Sequence, residues 1–351
     1  MKRLLLFNLR TDADDHILGF TTRWINALAP HYDAIDVITM HAGHIDVADN
    51  VRVFSAGRER GLSKPRRFLE FYRILLRLLI QHHYTACFAH MTPLFAGMAG
   101  IPLTLRGVPT TLWYTHRQRT KQLELGTRLS RRVVSAVESS YPIQTPKLRP
   151  IGHGIDVDFY QPDSTIKKVP RRIVYVARLT AIKNQHILIN TTADLDCELV
   201  LVGDIPDGFD DRYKQQLHAQ VKAMNLQHKV TFAGAQTATQ VRDWYRSTAI
   251  AVNLSPVGLF DKAPLEAMAC AVPTIVSNPA FSSVTAAYQP DLHIPQPDDT
   301  VALKNQIEHL LALSATQRAE MGAILRQNIT TQHSLEALVQ KLVQIMETGE
   351  L

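Results

Sequence analysis

Residues 261–278 read DKAPLEAMACAVPTIVSN. The pattern predicts a loop ending at an acid–base pair, Asp261 and Lys262, then a short helix, a turn and a buried strand. Pro264 falls in the first helical turn, where a missing N–H breaks no intrahelical bond. Ala267, Ala269 and Ala271 would let the helix lie close against a sheet, and Pro273 stops it before the β-branched run of Thr274, Ile275 and Val276. An apolar run at 250–254 supplies the preceding strand, which completes a β-loop-α-β unit. A helix N-terminus at the C-terminal edge of a parallel sheet attracts anions, because its N–H groups are unpaired and its dipole favours phosphate. Glu266, two residues past Pro264, is placed to accept hydrogen bonds from sugar hydroxyls.

The same alternation extends outward in both directions. In the second half, strands are expected near Ile173, Glu198, Val230, Ile250 and Thr274, with helices between them. In the first half, strands are expected at 3–8, 34–39, 51–54, 86–89 and 109–113, and helices at 17–29, 65–82 and 94–103. Strands alternating with helices imply parallel sheets covered on both faces. Residues 135–163 are rich in Pro, Gly and Ser and read as the connection between a domain at 1–150 and another at 165–334. The tail from Thr300 is helical, with Leu303, Ile307, Leu310 and Leu311 at helical spacing.

A chain of 351 residues can bury two α/β cores, and 20% charged against 46% hydrophobic residues excludes a disordered chain. Cys87, Cys197 and Cys270 lie far apart, without zinc or CxxC spacing, and read as buried small hydrophobes in a reducing compartment. No signal peptide is expected, because Met1 leads straight into a strand. Residues 84–105 lack Asp, Glu, Lys and Arg, yet their Pro and Gly content predicts a strand, a turn and a buried helix rather than a membrane span.

The charge is uneven. Residues 1–150 hold 21 Lys and Arg against 11 Asp and Glu, while residues 151–351 hold 17 against 21. A basic first half predicts an anionic partner or surface, and no nucleic-acid motif accompanies it. Arg58, Arg60, Lys64, Arg66, Arg67, Arg73 and Arg77 interleave with Phe68, Phe71, Leu75 and Leu79. That segment reads equally as a helix lying on an anionic membrane or as one packed on its own sheet with a basic outer face.

The 261–278 segment resembles the nucleotide-sugar site of glycosyltransferase family 4, a retaining group with the GT-B fold. The family's hallmark is a Glu, seven residues and a second Glu before Ala-Met-Ala. Glu266 matches the second Glu, while the first falls on Gly258. Other landmarks resemble the family in order. Arg178 to Lys183 (RLTAIK) is similar to its diphosphate-binding Arg/Lys pair, and Leu201-Val202-Gly203-Asp204 to its Val-Gly-Asp turn. Phe232-Ala233-Gly234 is similar to the strand end near its base pocket, and Gly154-Ile155-Asp156 with Phe159 to its linker.

The resemblance implies an α/β GT-B enzyme with two Rossmann-like domains facing across a cleft. It also implies a final helix at 335–351 that crosses back to the first domain. The implied activity is a metal-independent, hexosyltransferase-type reaction with a nucleoside-diphosphate sugar as donor and no cofactor. The acceptor would be a glycan or lipid-linked hydroxyl, and the location cytoplasmic or peripheral on the inner face of a membrane. His116, Arg178 and Lys183 are the implied catalytic residues. Gly258, Leu259, Phe260, Asp261, Lys262, Leu265, Glu266 and Gly234 would surround the donor.

The family's Gly-Gly loop after the first strand is replaced by residues 8–19, NLRTDADDHILG. There Asp15 and His16 are candidates to bind or deprotonate an acceptor, against a plain reading as a capped helix start. His90 is a third acceptor-side candidate. Asp12-x-Asp14 and Asp156-x-Asp158 resemble metal-binding DxD pairs of another glycosyltransferase fold, but no metal is expected. Two alternatives stay open: a sugar-nucleotide 2-epimerase of the same fold, and an inactive scaffold that lost activity with the first Glu.

Overall fold

The computed structural model describes residues 1–15, 18–205 and 208–350, arranged as two compact units. Met1–Gly154 and Leu335–Leu351 make the first, and Ile155–Ser334 the second.

The first unit holds seven strands: β1 (Arg3–Thr11), β2 (Ala34–Ala42), β3 (Val51–Ser55), β4 (Ala86–His90), β5 (Thr110–Trp113), β6 (Arg132–Ser135) and β7 (Leu148–Pro150). Their spatial order is β3-β2-β1-β4-β5-β6-β7, with every neighbour parallel. The interleaved helices are α1 (Phe20–Leu28), α2 (Lys64–Gln81), α3 (Pro93–Leu105) and α4 (Lys121–Leu129).

The second unit repeats the plan with β8 (Arg172–Val176), β9 (Glu198–Val202), β10 (Val230–Gly234), β11 (Ile250–Asn253) and β12 (Thr274–Val276). These lie in the order β10-β9-β8-β11-β12, again all parallel. Around them run α5 (Gln185–Thr192), α6 (Arg212–Ala223), α7 (Ala238–Ser247), α8 (Lys262–Ala269), α9 (Gln289–Leu292), α10 (Thr300–Ala312) and α11 (Ala315–His333). The last helix, α12 (Leu335–Thr348), packs in the first unit.

Both faces of the first sheet are covered, which is why Leu4, Leu5, Leu6 and Phe7 of β1 form an unbroken apolar run. On one face, Phe71 of α2, Phe95 and Leu103 of α3 and Leu123 of α4 pack on Leu5, Phe7, Cys87 and Leu112. On the other, Trp24 and Leu28 of α1 join Leu338, Leu342 and Ile345 of α12 over Leu4, Leu6 and Phe88. Pro102 lies inside α3, so the Met98 carbonyl has no N–H to receive from it. The Tyr72 hydroxyl of α2 donates to that carbonyl at 2.9 Å and ties the two helices together.

Some expectations shift. The connection-like stretch from 135 contains β7, and β6 ends within it; β7 is a three-residue edge strand, too short to show a period in the sequence. Helix α1 starts at Phe20, with Ile17 outside the described residues. In the 261–278 segment, α8 ends at Ala269 rather than at Pro273. Ala271 turns left-handed at φ 56°, with its N–H bonded to Met268 O and the Val272 N–H bonded to Ala267 O. This is a Schellman C-cap, a position where glycine is usual because a Cβ is strained there.

The two sheets share a feature that positions the site. Chain order reverses between β1 and β4 in the first and between β8 and β11 in the second. At such switch points the loops leave in opposite directions and open a crevice beyond the strand C-termini.

Ala271→Gly should raise unfolding stability by about 0.5–1 kcal/mol, measured by denaturant titration, because it removes the Cβ strain. A second expectation concerns Asp36 of β2. Its carboxylate is fully buried and bonds to Arg3 (2.9 Å), Arg52 (2.8 Å) and the Tyr84 hydroxyl (2.7 Å). Burial alone would push this carboxyl up, but the three donors outweigh it and hold it below the ordinary carboxylate value. Its stabilisation is therefore complete above about pH 4 and is lost as pH falls through the depressed folded value. Asp36→Asn should cost about 2 kcal/mol near neutral pH. The gap between variant and wild type should close in acid unfolding titrations.

Candidate active site

The site of the second unit forms at the β8–β11 switch point. After β8 the chain runs through Arg178 and Leu179 into a turn at Ala181–Lys183, then α5. Asn184 takes the left-handed conformation between them, at φ 58°, and its side chain donates to Leu254 O at 2.9 Å. This aims the Lys183 side chain across the end of β11. Lys183 is only 5% exposed, and its ammonium donates to Ser255 Oγ at 3.0 Å and to Asp261 Oδ2 at 2.5 Å. Ser255 Oγ also donates to Asp261 Oδ2, at 2.5 Å, and Asn253 Nδ2 reaches it at 3.2 Å.

Asp261 sits at the N-cap position of α8, yet its side chain makes no cap bond. Asp is a common helix cap, but this carboxylate instead joins a part-buried ion pair, because Lys183 attracts it more strongly than a neutral N–H does. All three contacts fall on Oδ2, and no described residue donates to Oδ1.

Tyr175 locks this arrangement from below. Its buried hydroxyl donates to Lys183 O at 2.5 Å and receives the Leu254 N–H at 3.2 Å. Burial, followed by the nearby Asp261 charge, pushes the phenol far above its ordinary value, so it stays a neutral donor. The sequence reading did not single out Tyr175, Asn184, Asn253 or Ser255. Only the Asn after Lys183, a residue type that tolerates left-handed backbone, carried a signal.

Gly203, just past β9, holds three strand ends together. Its N–H donates to Gly234 O at 2.9 Å, and the next residue, Asp204, accepts from Leu179 N at 3.0 Å. At φ 133° a Cβ on residue 203 would stand 2.2 Å from the Ala177 carbonyl oxygen. The Asp204 carboxylate is bound by Lys214 at 2.8 and 3.0 Å, which lowers its pKa and offsets its charge beside the Arg178 loop. Arg178 is exposed, and its carbonyl is held by Gln185 Nε2 at 2.9 Å. One cation thus faces solvent while the other lies buried beside a carboxylate.

The remaining donor-side candidates divide by exposure. Gly258 is buried at φ 87°, a backbone that disfavours the glutamate the resemblance would put there. Leu259 anchors the loop through its carbonyl, which accepts from Asn278 at 3.0 Å. Phe260 packs against Phe281 and His333, and Leu265 is fully buried, so both side chains frame the loop. Lys262 and Glu266 are half-buried on the first two turns of α8. Gly234 ends β10 at φ 70°.

The other candidates belong to the first unit. His116 follows β5 and is exposed, and its Nδ1 accepts from the Gln118 N–H at 3.1 Å. In the neutral ring that leaves the proton on Nε2. His90 ends β4, buried among Trp24, Phe20, Phe88 and Trp113. Asp15 accepts from Leu18 N at 2.6 Å and pairs with Arg10, which is the capped-turn arrangement. Asp12 Oδ1 receives the N–H groups of Asp14 and His44. His16 lies outside the described residues.

The search of curated proteins finds no match. Among solved structures, the chain is similar to the sucrose-phosphate synthase of Thermosynechococcus elongatus, at 18% identity over 98% of each chain and a TM-score of 0.77. It is also similar to Anabaena HepE, determined with UDP and glucose, at 17% identity over 99% of this chain and 100% of that one, TM-score 0.75. A glycosyltransferase from Rickettsia africae aligns at 14% identity over 99% and 98%, TM-score 0.72. These likenesses establish the GT-B fold. Residues 156–328, almost the whole of the second unit, match the family model described as glycosyl transferases group 1, and with the GT-B fold this supports a glycosyltransferase.

Proposed function

We propose that the protein is a retaining glycosyltransferase that moves a hexosyl group from a nucleoside-diphosphate sugar to a hydroxyl of a glycan or lipid-linked acceptor. The observation that carries this reading is the Lys183–Asp261–Ser255 cluster at the switch point, with Arg178 exposed on the same loop. The Anabaena HepE structures hold UDP, or UDP-glucose, and their similarity supports a donor of that class here.

Arg178 and Lys183 take the diphosphate oxygens and stabilise the charge that develops as it leaves, so no metal is required. Glu266 accepts from the ribose hydroxyls, and the Gly258–Phe260 backbone and Gly234 border the nucleotide. Asp261 replaces the missing first glutamate. Its Oδ2 holds Lys183, and its Oδ1 receives a sugar hydroxyl. Lys262 adds a cation at the start of α8. His116 is the candidate to orient the sugar, and Asp15, His16 and His90 are the candidates to bind the acceptor.

In the transfer step the acceptor oxygen forms a bond to the anomeric carbon. The bond from that carbon to the diphosphate oxygen breaks on the same face, its electron pair leaving with the phosphate. The acceptor proton passes to that phosphate oxygen. The intact cation pair and its carboxylate weigh against an inactive scaffold, and product analysis with donor alone separates transfer from 2-epimerisation.

Arg178→Ala should lower turnover about 100-fold. Because Arg178 is exposed, its melting temperature should move by no more than a degree or two. The variant should also lose the thermal stabilisation that one of UDP, GDP, ADP, CDP or dTDP gives the wild type without magnesium. Near-normal turnover, or no stabilisation by any nucleotide, would overturn the assignment. Asp261→Asn separates the sugar from the nucleotide. It should weaken binding of the nucleotide sugar about tenfold relative to the free nucleotide, whose own affinity should not fall because Lys183 is no longer neutralised, and an unchanged ratio would remove Asp261 from sugar binding.

A further inference from the structure

Helices α2, α3 and α4 lie side by side on one face of the first sheet. Phe71 of α2 stacks on Phe95 of α3 at 4.4 Å, and α4 approaches α3 closely where Gly126 meets Pro93. Phe68 is 50% exposed, but the other apolar residues of α2 that the sequence reading picked out, Phe71, Leu75 and Leu79, all point into the core. That part of the membrane reading is corrected: they pack on the sheet.

A second apolar line runs along the opposite side of the helix. Leu69, Leu76 and Ile80 are 67%, 48% and 79% exposed. Their spacing of seven and then four residues keeps them on one stripe. Helix α3 repeats the spacing with Leu94, Ile101 and Leu105, the last two 63% and 82% exposed, and Leu125 of α4 extends the face.

Exposed cations surround these stripes: Arg66 and Arg77 on α2, Arg106 after α3, and Lys121 and Arg128 on α4. The two glutamates on these helices are already paired, Glu70 with Arg73 and Glu124 with Arg119. Outward leucines and isoleucines within a basic rim match an anionic interface, where apolar tips enter the acyl boundary and cations meet headgroup phosphates. A second copy of the chain would bring two basic rims together, which opposes self-association.

We propose that the outer face of α2, α3 and α4 is a docking surface for an anionic lipid bilayer. This surface stands independently of the donor site, since none of its residues takes part there.

Vesicle co-sedimentation of the full chain tests it. Phosphatidylcholine alone is compared with phosphatidylcholine mixed with phosphatidylglycerol, at low and high salt. The wild type should bind the mixed vesicles, release them at high salt and ignore the neutral ones. Leu76→Ser/Ile80→Ser and Ile101→Ser/Leu105→Ser should bind about tenfold more weakly. Arg66→Gln/Arg77→Gln should weaken binding about fivefold or more. All six positions are exposed, so melting temperature and nucleotide binding should hold and show that the variants are folded. Three results would overturn the proposal: no binding to mixed vesicles, equal binding to neutral ones, or undiminished binding by the variants. Concentration-dependent dimerisation lost in the serine variants, without vesicle binding, would instead make this face a contact between copies.

Discussion

At the centre of the second unit, three strand ends converge where residue 203 has no side chain. The Ala177 carbonyl occupies the space a Cβ would need. Because the chains close to that distance, Gly203 bonds to Gly234 and the neighbouring Asp204 bonds to Leu179. The loop carrying Arg178 and Lys183 is therefore clamped to β9 on one side and, through Tyr175 and Asn184, to the end of β11 on the other. The geometry around Lys183 follows from that clamp.

A buried ammonium must be compensated, and Asp261 with Ser255 does so here. The pair has a consequence for ligand binding. An incoming diphosphate would find one exposed cation and one already neutralised, so its net attraction is smaller than two bare cations would give. What the pair supplies is position: the ammonium is held at the switch point before a ligand arrives, so binding need not order a flexible side chain.

Much of the fold could be read from the chain because helix and strand periods alternate so regularly, and the parallel α/β class follows from that alternation. What escaped reading depends on tertiary context. The short edge strand β7, at 148–150, has too few residues to show a period. The end of α8 was misjudged because Ala271, an ordinary helix former, serves as a left-handed cap. The partner of Asp261 is Lys183, 78 residues away, and no local pattern reveals that pairing. Tyr175 lies in an apolar strand, and nothing in the local sequence shows that its hydroxyl joins two loops. On α2 the core-facing line was legible and the outward line was not, since arginines interrupt it.

The last helix has a consequence for how the molecule is made. Leu338, Leu342 and Ile345 of α12 complete one face of the first sheet, yet the whole second unit precedes them along the chain. Ile155 and Ser334, where the chain enters and leaves that unit, lie bridged side by side. On the ribosome, the early strands therefore emerge with part of their apolar face uncovered. They must wait through synthesis of the continuous second unit, which has every element of its own core. Vectorial synthesis usually favours the N-terminal domain; here the later unit is the first that can finish folding, and the earlier one cannot close its core until its final helix appears.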